Sequence, residues 1–559
     1  MSRRIVIVAA CAVLSLSLPP VAQEPQHHHA EELGQVSFPV ACTGEAQARM
    51  NRAVAMLHSY WFPEALRTFE SVAEADPRCG VAYWGAALAH FGNPMGGGSG
   101  AAGQAAGWAA AQRGAAVGAT SDRDRAYIEA ASALFRAHET VSNRTRMDAY
   151  KEALAAIVAR YPEDTEAKIF HAMFMVATAS PADLTFAAQK RAAAILTEMY
   201  RQQPRHPGLA HYIIHAFDSP SLAPYALDAA RQYASIAPAA PHALHMPSHI
   251  FTRLGYWDES IATNRRSADQ EPTPGGKSHP LDYLVYAYLQ QGRDAQALAA
   301  IREIGGDTRG EYISGTLGSY NALAMPARYA LERDDWSGAA ALVATDAVPS
   351  AAAVTRFARG LGAARAGRLT AAREEVQALE QLVATLTAQG DTYWALVVDA
   401  QRMAVAAWVA DADGRGAEAL DLARQAADKE EQVEKHPVTP GPLIPARELL
   451  GDLLLVHQRP ADALVAYEKT LGREPNRART LAGAMRAAEA SGQRAVAVKY
   501  AQALVALMDP ASPRPELRDA QRLTGRGDAR QKIQAPRAMK AAAKTIATTS
   551  TISAALIRR

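Results

Sequence analysis

Apolar residues recur three and four positions apart through most of the chain, and short polar turns interrupt them repeatedly. That rhythm predicts amphipathic helices paired into hairpins rather than strands. In FPEALRTFESVAEADP, Ala65, Phe69 and Val72 alternate small, large and small along one face, and Pro77 ends the helix. The stretch ARELLGDLLLVHQRPADALVAYEKTLGREP repeats the arrangement, with Gly451, Ala463, Tyr467 and Pro475 in equivalent places. Each hairpin packs only on its neighbours, so such a chain stacks into a solenoid without needing one large core. The expected fold is all-α, a right-handed superhelix of helical hairpins with a concave groove lined by the first helix of each hairpin.

The same rhythm divides the chain. Residues 1–22 (MSRRIVIVAACAVLSLSLPPVA) join two arginines, an apolar run and a small-residue exit, the pattern of a secretory signal. The run is too short for a membrane anchor, and no later segment could span a membrane. Export to the periplasm or the extracellular space is therefore expected. Residues 23–45 lack a helical period and should form an extended arm along the solenoid. Its run His27-His28-His29 reads as a loose metal scavenger, a source of a further ligand, or a solvated segment. Residues 46–205 hold the first hairpins, interrupted by NPMGGGSGAAGQAAG, a Gly/Ala-rich stretch expected to be a flexible insertion without a phosphate-binding pattern. The central repeats occupy 206–304, with EPTPGGKSHP as a short Pro/Gly insertion before the hairpin from Leu281 to Ile304. Further repeats fill 305–512, and 513–559 reads as a basic tail, disordered or loosely helical.

The central repeats carry the chemistry. Pro241 follows Pro207 by 34 residues and opens an equivalent hairpin, so His245 aligns with His211 and His249 with His215. Within each pair the spacing is i, i+4, which puts both imidazoles on one helix face about one turn apart. Helices that pack about 8–10 Å apart allow imidazoles of neighbours to share one ion. His211, His215, His245 and His249 thus form a candidate four-nitrogen set. His242, Asp282 and Asp218 are further candidates, as ligands or as acceptors for the outer ring nitrogens. In the repeat register His242 and His279 both fall at position 2, Asp282 at position 5 and Tyr286 at position 9. Asp218, Asp282 or Tyr286 would supply acid–base groups if the site is catalytic. Pro247 either kinks its helix between His245 and His249 or marks a late helix start. His58 and His90, among apolar residues, read as structural; His171, His436 and His457 read as incidental.

Composition narrows the function classes. The 559 residues carry a formal net charge of only +2, with no basic footprint for nucleic acid. Cys42 and Cys79 are the two cysteines beyond the leader; they either pair as a disulfide or remain buried thiols. Nitrogen-rich ligation without thiolate suits zinc, copper, nickel or non-haem iron alike. No HExxH pattern and no serine or cysteine triad points to a hydrolase.

The segments LGQVSFPVAC, AMLHSYWFPEALRTFESVAEADPRCGVAYWG, HPGLAHYIIHAFD, APHALHMPSHIFTRLGYWDES and DYLVYAYLQQGR resemble those of a poorly characterised family of exported bacterial tetratricopeptide-repeat (TPR) proteins. The likeness covers most of residues 30–300, and beyond it the chain is similar only to the generic repeat. It implies a TPR solenoid and no settled activity. Two functions follow: an exported repeat protein with a histidine-rich metal site in its groove, binding metal or performing metal-dependent chemistry, or a metal-free scaffold that binds a protein or peptide there.

Overall fold

In the computed structural model, which describes residues 32–310, 319–345 and 348–525, twenty-six α-helical segments follow one another and no β-strand occurs among those residues. Each helix packs on the next, and many on the next but one, as in a helical solenoid. The small–large alternation is what lets them approach. The Tyr467 ring of helix Pro460–Arg473 lies so close to Gly451 and Gly483 on the flanking helices that any side chain there would collide with it. Helix Phe62–Ala75 buries Ala65, Phe69 and Val72, the one stripe its sequence offers.

The arm before Gly44 runs extended against the first hairpins. Phe38 is buried and stacks on Trp84 at 5.0 Å, while its backbone N–H donates to Asn51 Oδ1 at 2.9 Å. A disulfide joins Cys42 at the end of this arm to Cys79 between the second and third helices, with Cα atoms 5.4 Å apart. The expected leader and the His27-His28-His29 run lie outside the described residues. The Gly/Ala-rich stretch is not a flexible insertion: helix Ala101–Val117 starts inside it and buries Gln104, Gly107, Ala110, Ala111 and Gly114. Alanine has the highest helix propensity, and it outweighs the scattered glycines.

Buried residues gather into two large cores, one from Leu33 to Phe251 and one from Leu323 to Ala520, with a smaller cluster around helix Pro274–Gln290 between them. The C-terminal core folds back onto the middle of the chain. Trp257 Nε1 donates to the Asn476 carbonyl at 2.9 Å, and Arg477 donates to Tyr286 Oη at 3.0 Å and Glu332 Oε1 at 2.6 Å. Gly255, with φ of +66°, sits where a Cβ would strike the Pro475 carbonyl, so this closure requires glycine. Arg514 pairs with Asp294, and helix Pro515–Leu523 caps the array. Residues 513–525, expected in the tail, instead belong to the fold, since Leu517 and Ala520 bury an apolar face; the rest of the expected tail lies outside the described residues.

A loop of the chain packs onto the central helices. The segment 431–445, between helices Gly416–Glu430 and Ala446–Val456, dips inward over the central helices. Arg328, fully buried, donates to the carbonyls of Gly441 at 2.8 Å and Pro442 at 2.9 Å, and Asn321 Nδ2 donates to the Val438 carbonyl at 2.6 Å. Among the described residues no helix is long and apolar enough to cross a membrane.

Candidate metal centre

Three successive first helices supply the histidines. Pro207 begins helix Pro207–Ala216, preorganised by its fixed φ, and the helix carries His211 and His215. The next element starts at Pro241 and carries His242 and His245; after Met246, itself helical at φ −53° and ψ −36°, Pro247–Leu254 continues with His249. Pro247 lacks the N–H that would bond four residues back, so the ladder is interrupted between the two histidines of the pair, as a kink predicts. The third helix, Pro274–Gln290, begins earlier than the sequence suggests. Its Thr273 cap accepts from Gly276 N, and the stretch read as a Pro/Gly insertion becomes its first turns and carries His279.

These rings form two groups of three rather than one group of four. His211, His215 and His242 can present one nitrogen each within 4.8 Å of one another, and so can His245, His249 and His279. Each group takes its i, i+4 pair from one hairpin and its third ring from position 2 of the next. A metal at ~2.0–2.1 Å from each nitrogen needs them ~3.3–3.5 Å apart, so modest rotation of the rings completes either group. The groups abut: ring centroids of His215 and His249 lie 5.7 Å apart, and those of His242 and His245 lie 5.9 Å apart.

Outer contacts fix which nitrogen faces inward. His211 Nδ1–H donates to the His58 carbonyl at 2.6 Å, leaving Nε2, which lies 3.1 Å from His242 Nε2. His249 Nδ1–H donates to Asp218 Oδ2 at 2.9 Å. His245 Nδ1 meets Asn264 Oδ1 at 2.7 Å, and Asn264 Nδ2 donates to the Ser260 carbonyl at 2.7 Å, which orients the amide and makes His245 Nδ1 the donor. Both remaining Nε2 atoms of this pair are then lone-pair acceptors, and they face each other at 3.0 Å. Two neutral imidazoles held this way repel unless a cation lies between them. His215 Nε2 and His279 Nδ1 are buried with no hydrogen-bond partner.

Burial favours the neutral form of these rings, the form that a metal requires. Burial first, and neighbouring imidazoles second, push His211, His215, His242 and His245 well below the usual histidine range. His279 falls to about 3 for the same reasons. Burial also lowers His249, against the pull of Asp218. Burial alone would raise the Asp218 carboxyl, but Lys435 at 3.0 Å and Arg253 at 2.9 Å hold it well below its ordinary value. Two tyrosines wall the site, Tyr60 with its ring 4.4 Å from His211 and Tyr283 with its ring 4.9 Å from His245.

Of the sequence candidates, all four paired histidines and His242 lie here, divided between the groups. Asp218 acts on His249 from outside. Asp282 belongs to neither group: it is fully buried against Arg328 at 2.9 Å and Asn321 Nδ2 at 3.3 Å. A carboxylate desolvated to that degree needs a charged partner, and the guanidinium has taken it. Tyr286 likewise faces Arg477, not the histidines. His279 was legible only through its register position, shared with His242. His58 is structural as expected, with Nε2 at 2.7 Å from Glu166 and Nδ1 at 3.0 Å from Tyr212 Oη, yet its carbonyl also orients His211. His58, Glu166 and His206 make a third triad, but its facing nitrogens are already bonded to the carboxylate, which the two rings hold down at about 2 against its burial. His436, read as incidental, lines a cavity of about 440 Å³ together with His215, Asp218, Lys435, Tyr393 and Trp394.

No family model matches the chain, and no curated protein does. Among solved structures, the Cut9–Hcn1 hetero-tetramer of the APC/C is similar at TM-score 0.31 and 13% identity, over 86% of this chain and 90% of that one. Yeast Tom70 gives TM-score 0.32 and 10% identity over 80% and 89% of the two chains. The human IFIT1 dimer with m7Gppp-AAAA gives 0.36 and 11% over 84% and 91%. The all-helical solenoid itself rests on the helices described above.

Proposed function

We propose that this protein is an exported helical-repeat protein that binds two transition-metal ions in its interior, one at His211, His215 and His242 and one at His245, His249 and His279. The observation that carries the reading is the pair of Nε2 atoms of His245 and His249, 3.0 Å apart, in rings whose Nδ1 atoms meet the acceptors Asn264 Oδ1 and Asp218 Oδ2. A hydrogen-bonded core would place a proton donor opposite one of them. Three nitrogens per ion leave a coordination position open, as a site that takes a ligand requires. The cavity bordered by His215 gives a small molecule access to that position.

Elemental analysis of protein purified without a histidine tag tests this directly. Two equivalents of a transition metal per chain are expected, one in His242→Ala and one in His279→Ala. A metal-free protein whose His211→Ala/His245→Ala variant keeps its melting temperature would instead favour the scaffold reading, with a protein or peptide partner bound elsewhere on the solenoid.

A further inference from the structure

The charges around the two groups say which metal and which ligand. We infer that the paired sites hold a cuprous pair that binds dioxygen between the two ions; this rests on the two-ion reading above.

All six inward donors are neutral imidazoles. Among the described residues Asp218 is the one carboxylate bonded to any of them, and Arg253 and Lys435 already neutralise it. Dinuclear hydrolytic centres hold two divalent ions only because anionic ligands offset their charge, and no carboxylate stands between these groups. The energy of a buried charge grows as its square, so four positive charges here cost far more than two. Two monovalent ions are the better fit, and three imidazoles suit Cu(I), which accepts three-coordination. Zinc has no monovalent state to offer.

The same arithmetic selects the reaction. Losing one electron from each ion to an outside acceptor would raise the charge of the buried site from two to four. Dioxygen avoids this. It takes one electron from each Cu(I), becomes a peroxide dianion and stays bound between two Cu(II) ions, so the net charge remains two. No bond to a protein atom breaks and no proton is needed. The groups abut, with His215 and His249 centroids 5.7 Å apart, the juxtaposition that a ligand shared between two ions requires. His215 is the one ring of the six that borders the cavity of about 440 Å³, which gives dioxygen its path. Burial of His211, His245 and His249 limits the access of larger molecules to the ions.

The experiment loads the metal-stripped full chain anaerobically with Cu(I), measures copper by elemental analysis, and then admits dioxygen. Two coppers per chain are expected. Oxygenation should give a near-ultraviolet peroxide-to-copper band, no electron paramagnetic signal, and an O–O stretch that shifts with ¹⁸O₂. His242→Ala and His279→Ala, altered at half-buried rings and checked by circular dichroism for retained helix, should each bind one copper and lose the band entirely. Two bound coppers that stay reduced, or that yield the signal of isolated Cu(II), overturn the dioxygen inference while the two-ion reading stands. Two zinc ions that copper cannot displace do the same. Failure to bind any metal overturns both.

Discussion

Asn264 shows how a single polar side chain decides what a histidine can do. Its amide nitrogen is committed to the Ser260 carbonyl, so its oxygen must face His245 and hold the ring proton on the outer nitrogen. Replacing it by leucine removes that acceptor and lets the proton move inward. On the two-ion reading, Asn264→Leu should weaken one ion about 10–100-fold and leave the other unchanged, as a competition titration with a chromogenic chelator would resolve. Equal weakening of both, or of neither, would contradict the assignment of His245 to one group. Glu430 offers a test of a different kind. Burial raises its carboxyl to about 7, although it accepts from Ala446 N at 2.8 Å. Its proton-bound form is the one the fold prefers, so its contribution is complete below the unfolded value near 4.5 and is lost as pH rises through about 7. Glu430→Gln keeps the acceptor without the charge. It should leave the melting temperature unchanged at pH 4 and raise stability by about 2–3 kcal/mol at pH 8, read by thermal melts across that range.

Helices and loops were unequally legible. The hairpins could be read because Ala65, Phe69 and Val72, or Ala463 and Tyr467, repeat a stripe that only a helix can bury. The i, i+4 histidine pairs followed from the same period. Their partition did not, because it depends on how far one helix advances past the next, and that offset leaves no trace in spacing. His242, at the start of its helix, and His279, in the second turn of helix Pro274–Gln290, each bring a third ring to the preceding pair. His279 was further obscured by EPTPGGKSHP, which looks like a loop until Thr273 caps it into a helix. Segment 431–445 was invisible for another reason: its partners are more than a hundred residues away, as with Arg328 and the Gly441 carbonyl. Arg328 pins this loop and neutralises Asp282 at once, both fully buried. Arg328→Met should cost about 3–5 kcal/mol by leaving an uncompensated carboxylate. Hydrogen exchange should quicken first at residues 435–442, ahead of the helices beneath. Uniform loss of protection would mean that the loop is not a separate element.

At the scale of the whole molecule, the solenoid is not an open array whose ends ignore each other. Trp257, Tyr286 and Gln291 from the central helices touch Asn476, Arg477 and Asp509 near the C-terminus, with Asp509 N donating to the Gln291 carbonyl at 2.8 Å. Repeat arrays normally unfold by stages, because each unit is coupled only to its neighbours. Closure couples the core that ends at Ala520 to the central helices, Trp257 and Tyr286 among them, through a few polar contacts. Arg477 is the densest of these: it is fully buried and bonds Tyr286, Glu332 and Glu448 together. Glu448 keeps Arg479 if Arg477 is lost, but among the described residues the Glu332 carboxylate and the Tyr286 hydroxyl have no other side-chain hydrogen bond, although Arg328 still lies over the Tyr286 ring at 5.1 Å. Arg477→Met should therefore cost about 3–5 kcal/mol at the junction. It should also split a single calorimetric transition into two. The first would be the C-terminal core, since its densest polar contact with the centre is gone. The second would contain the histidine groups, and on the two-ion reading added metal should move it alone to higher temperature. One transition that shifts downward without splitting would show that the cores are coupled along the chain, through helix Pro274–Gln290, and that the closing contacts are dispensable for cooperativity.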